Sequence, residues 1–152
     1  MIAPPSTKSH RAGSVAPTAA PANPSTATRL TRWLALAHGA FYVLSGLWPV
    51  VHLRSFYFVT GPKTDGWLVQ TVGALLAAFG AALFSAGRRQ RLSPEMIFLA
   101  IAMPLVLAAV DVIFVSRGVI PPIYLADAAG ETLLALAWIA VAVGRRLKSP
   151  LS

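Results

Sequence analysis

The sequence predicts an all-α integral membrane protein, a four-helix antiparallel bundle preceded by a disordered N-terminal tail. Three observations carry that expectation. Four apolar runs dominate the chain, each of about 20 residues, the length an α-helix needs to cross a hydrocarbon core of ~30 Å. Charged residues are only 12% of the 152 residues, about half the usual share of a soluble domain. The basic residues that bring the formal charge to +8 stand at the ends of the apolar runs and leave their interiors free. This placement argues for membrane flanks and against a nucleic-acid partner, which needs its basic residues gathered on one surface. Cysteine is absent, which excludes disulfides, thiolate metal sites, iron–sulfur clusters and cysteine nucleophiles.

Residues 1–28 are almost entirely Ala, Pro, Ser and Thr, with Lys8 and Arg11 the only charges. They bury too little apolar surface to offset chain entropy, so a disordered tail is expected there. The segment lacks the charged start and compact apolar centre of a secretory signal. Residues 29–148 form the expected membrane domain and 149–152 a short second tail. Within the domain the first run spans 33–53, "WLALAHGAFYVLSGLWPVVHL". A helix there satisfies its own backbone hydrogen bonds in lipid, which an isolated strand does not. The connection that follows, "RSFYFVTGPKTDGW", supplies Phe56, Tyr57, Phe58 and Trp67 as an interfacial aromatic belt, and Gly61-Pro62 and Asp65-Gly66 as turns. Its amphipathic composition suggests a lid lying flat over a polar pocket in the bundle.

The second run, 67–86, repeats small residues at Gly73, Ala77 and Ala81, and again at Ala74, Ala78 and Ala82. Such spacing lets two helices approach closely in lipid. The third run, 95–116, opens with Ser93-Pro94-Glu95, a capping serine, a proline at the first position and an acid in the first turn. The fourth, 122–143, starts at Pro121-Pro122. Short second and third connections imply antiparallel packing of the helices they join.

Basic flanks give the orientation. Lys8, Arg11, Arg29, Arg32, Arg88, Arg89, Arg91, Arg145, Arg146 and Lys148 fall on one side, against Arg54, Lys63 and Arg117 on the other. Both termini are therefore expected in the cytoplasm, in keeping with an inner (plasma) membrane protein of a bacterium.

Within this frame the acids stand out, because a charge at the bilayer centre opposes insertion by about 2.5–3.5 kcal/mol. A hairpin about residue 119 brings Asp111 and Asp127 to one level, with Glu131 a turn deeper, all in the outer half of the membrane. Tyr124, Asp127, Glu131 and Trp138 share one helical face, as do His38, Tyr42, Ser45, Pro49 and His52. The spacing thus predicts an outward-facing polar pocket involving Tyr42, His52, Gln70, Asp111, Tyr124, Asp127 and Glu131, with Arg54 and Arg117 at its rim. One reading pairs the rim arginines with Asp111 and Asp127 in a network that fixes helix register. The other makes a site, in which close-set carboxyls beside a histidine handle a proton. Its catalytic residues would be Asp111, Asp127, Glu131 and His52. His38, near the middle of its run, is expected to be a neutral, hydrogen-bonded imidazole. No haem or other cofactor is expected, since His38 and His52 lie far apart on one helix. No metal site is expected either. "GPKTDG" lacks the order of a phosphate-binding loop.

With these elements placed, residues 30–147 resemble the small four-helix bacterial membrane proteins grouped around DoxX, through their size, topology and the acids Asp111, "YLADA" and Glu131. A fainter similarity is to the sterol isomerase and sigma-2 receptor group, whose acids sit inside a lipid-binding cavity. The chain has one helix fewer than the isomerases, and no catalytic residue is carried over from either group. The function expected is accessory or binding: the pocket holds a lipid-like or amphipathic molecule, or a partner membrane subunit, which includes a second copy of the chain. The rivals are an intramembrane acid–base enzyme acting on a lipophilic substrate and a proton-coupled transporter subunit.

Overall fold

The computed structural model describes residues 26–146; residues 1–25 and 147–152, with Lys8, Arg11 and Lys148, lie outside the described residues, while Thr26, Ala27 and Thr28, expected in the disordered tail, open the first helix. Five helices follow in order, α1 (Thr26–Val51), α2 (Leu53–Thr60), α3 (Gly66–Arg88), α4 (Pro94–Ser116) and α5 (Tyr124–Arg146). No strand occurs among the described residues. All except α2 are long and apolar enough to cross a membrane, so the four apolar runs all become helices.

Local chemistry explains most of the boundaries. Ser93 caps α4 by accepting from the Met96 amide at 3.3 Å, with Pro94 at the first position. That helix stops where Gly118 takes a left-handed φ of 69°, a conformation open to glycine because it has no Cβ. Pro121 and Pro122 form a turn before α5, with the Tyr124 amide donating to the Pro121 carbonyl at 3.2 Å. The fourth span thus begins at Tyr124 and not at 122. The first connection holds a helix that its composition did not announce. α1 ends at Val51, and His52 caps α2 by accepting from the Ser55 amide at 3.2 Å.

The packing is two pairs. α1 lies antiparallel against α3 in the most extensive contact of the molecule, and α4 lies against α5. α1 meets α5 over a smaller area, and the α3 and α4 backbones stay further apart despite the short turn between them, meeting through side chains such as Leu83 and Ala100. Of the antiparallel neighbours expected from the short second and third connections, α4 and α5 pack closely, whereas the backbones of α3 and α4 do not. The α1–α3 seam explains why. Gly73, Ala77, Gly80, Leu83 and Gly87 are the buried residues of α3, and they face Gly46, Gly39 and Ala35 of α1. A Cβ built at Gly80 would stand 2.7 Å from the Gly39 carbonyl oxygen, and one at Gly87 would stand 2.9 Å from the Ala35 Cβ. The two backbones touch. Ala81, expected in this seam, is exposed, as are Ala74, Ala78 and Ala82. The seam repeats Gly73, Gly80 and Gly87 every seven residues. Seven residues return to nearly the same azimuth of a helix, whereas successive steps of four drift around it.

The core sits at the end of the bundle that carries the termini. Ala35, Leu83, Ala100 and Trp138, one from each long helix, form its fully buried centre. Towards the other end, where the α2 and α4–α5 connections lie, the interior becomes polar.

Candidate functional site

In that polar half α1 and α5 are joined by side chains. The Tyr42 hydroxyl donates to Glu131 Oε2 at 2.6 Å, and both residues are buried. Glu131 lies seven residues into α5, or about 10 Å along the axis from its first residue. One turn back on the same helix, Asp127 is exposed. Its carboxyl lies close to that of Asp111 of α4. Asp111 is 7% exposed, and its Oδ2 is buried without a partner. The structure therefore brings Tyr42, Asp111, Asp127 and Glu131 together across three helices.

A second polar pair lies on the other side of Tyr42. The Trp138 indole N–H donates to His38 Nδ1 at 3.0 Å, with both side chains fully buried. Because Nδ1 accepts, a neutral imidazole there carries its proton on Nε2, and that nitrogen is buried without a partner. The His38 and Tyr42 rings stand edge to face, with centroids 4.2 Å apart. His38 and Tyr42 flank Ala40, the middle residue of the Arg29–Val51 span. The polar chain thus runs from mid-span towards the loop end of the bundle.

The remaining expected site residues go elsewhere. His52 is exposed, and its ring nitrogen is occupied by the α2 cap. Gln70 donates to the Val50 carbonyl at 3.4 Å, serving the α1–α3 pair. Arg54 is exposed. The Arg117 guanidinium stands over the Phe114 ring at 5.9 Å. Among the described residues no basic side chain forms an ion pair with Asp111, Asp127 or Glu131, so the expected rim pairs are not formed. Tyr124, half-buried, instead receives Lys63, whose Nζ lies 5.0 Å from its ring centroid and donates to the Thr60 carbonyl at 3.0 Å.

The first connection reaches across the loop end. A Cβ at Gly61 would lie 3.3 Å from Pro121 Cγ, so this segment adjoins the α4–α5 turn. In α2, Phe56 packs edge to face on Trp48 at 5.7 Å, whereas Phe58 is 91% exposed. The Trp48 indole N–H donates to Ser55 Oγ at 2.7 Å. The segment is thus a short anchored helix followed by a strap that meets Tyr124.

Two features escaped sequence reasoning: the Trp138–His38 bond and the Lys63–Tyr124 contact. The first left a signal, since each residue shares a helical face with a partner in the network. The second left none, because turn residues carry no period. Among the described residues no three His, Asp or Glu side chains are gathered as metal ligands. What the arrangement offers chemically is a set of acceptor oxygens with one hydroxyl donor, partly open at Asp127. Compared with known proteins, the chain matches no family model, no characterised protein and no solved structure.

Proposed function

We propose that this multi-pass membrane protein binds an amphipathic or lipid-like molecule at the Asp111–Asp127 end of its polar network. One observation carries the reading: Asp111 is buried with an unpartnered oxygen while Asp127 beside it is exposed. Burying a polar atom without a partner costs about 1–3 kcal/mol. A purely architectural network recovers that cost internally; this one ends at an open position. Ile123, one turn before Asp127, is exposed and apolar, which suits a ligand with a polar head and a greasy body.

In this reading the chain sits in a bacterial inner membrane with both termini cytoplasmic, and the site faces the outer half of the bilayer. The bias of basic flanks supports that orientation. Kinship with the DoxX-like proteins belongs to the same proposal and is supported by the four spans and the acids at one end. Native mass spectrometry of the protein released directly from membranes tests the binding. A lipid-sized adduct is expected on the wild type and should be lost on Asp127→Asn. Identical adduct patterns for the two would overturn the reading.

A second reading, an intramembrane acid–base enzyme, is favoured by the short Tyr42–Glu131 hydrogen bond at 2.6 Å. Such an enzyme would lose turnover of a lipophilic substrate, yet keep its fold, in Glu131→Gln.

A further inference from the structure

The acid site specifies the head group it takes. Carboxylate oxygens accept hydrogen bonds and do not donate them. Among the described residues the side chain that donates to these three acids is Tyr42, whose hydroxyl is committed to Glu131. Asp111 and Asp127 lie close together, and as carboxylates their four oxygens only accept. Asp111 Oδ2 is left buried and unpartnered. Of the three basic residues of this end, Arg117 stands on Phe114, Lys63 on Tyr124, and Arg54 is exposed. No cation is paired with the acids among the described residues, and Asp127 is exposed.

We propose that Asp111 and Asp127 bind the ammonium group of an amphipathic primary amine, its chain lying along the apolar flank of α4 and α5; this rests on the binding reading above. An ammonium brings three donors on one compact charge. That matches acceptors that an alcohol, with a single donor, leaves unfilled and that a carboxylate repels. Lys63, one turn from Asp127 at Tyr124, stands where an anionic group on the same head would meet it, so zwitterionic heads with a free amine fit as well.

Thermal unfolding of the full-length protein in a neutral detergent, followed by tryptophan fluorescence, tests this with three probes of equal chain length: dodecylamine, dodecanol and dodecanoate at neutral pH. Dodecylamine is expected to stabilise the wild type at a concentration at least about tenfold lower than either of the others, a difference of about 1.4 kcal/mol. Asp127→Asn should raise that concentration by about tenfold or more. Because Asp127 is exposed, this variant is expected to fold even where Asp111→Asn fails. Equal action of dodecanol and dodecylamine would overturn the amine assignment and leave the broader binding reading standing. Silence of all three probes would sink both. An undiminished amine response in Asp127→Asn would also overturn the assignment. So would tight binding of a hydrophobic helical peptide with a mid-span lysine that dodecylamine cannot displace, since the acids would then serve a protein partner.

Discussion

The Tyr42 hydroxyl satisfies the buried Glu131 carboxyl, so its removal should be felt directly. Tyr42→Phe keeps the ring and strands Glu131; the expected loss is about 1.5–3 kcal/mol, the range for a hydrogen bond to a charged acceptor, read from thermal unfolding in detergent. Glu131→Gln retains an acceptor for the hydroxyl and should cost less than half as much. Equal losses would mean that the hydrogen bond is not what the pair contributes. Both residues were visible in the sequence as members of polar helical faces, but their pairing was not. Spacing fixes which residues share a face and says nothing of which face turns to which neighbour. His52 shows the opposite error. It extends the period of His38, Tyr42 and Ser45, yet the helix ends at Val51, and His52 caps the next one. Arg54 and Arg117 misled for another reason: long side chains at a span end reach the interface as easily as they turn inward.

At the scale of the element, the glycines of the α1–α3 seam leave no room for a side chain. Gly80→Ala puts a methyl against the Gly39 backbone and should destabilise by about 1–3 kcal/mol, the cost of overpacking. Gly130→Ala, on α5 where nothing lies within 4 Å, should be neutral or up to about 1 kcal/mol favourable through helix propensity. Thermal unfolding of the two variants side by side checks the contrast. The sequence disclosed that α3 had a small-residue face, and its step was misjudged because alanine surrounds the glycines on all sides. α2 was invisible for a different reason. Eight residues rich in aromatics match an interfacial loop as well as a helix, and only the cap at His52 decides between them. His52→Ala should therefore loosen α2 by about 1 kcal/mol, as helix caps do, which proteolysis within residues 53–65 would reveal.

For the whole molecule, length and composition alone were enough to give an all-α bundle, because a bilayer admits few other solutions for such runs. How the four spans divide was beyond them: pairing depends on backbone approach, which hydropathy does not encode. The proposed orientation makes its own prediction. Cysteine introduced at Phe58 should react with an impermeant thiol reagent from outside intact cells, and cysteine at Arg89 only after lysis; the reverse pattern would invert the topology. The glycine seam has one more consequence. Each helix pair is continuous in sequence, and the turn at residues 89–93 is all that joins them covalently. The protein is therefore divisible there: halves expressed as separate polypeptides should each insert as a closed hairpin and then find one another through Tyr42 and Glu131, restoring an intact molecule from two genes.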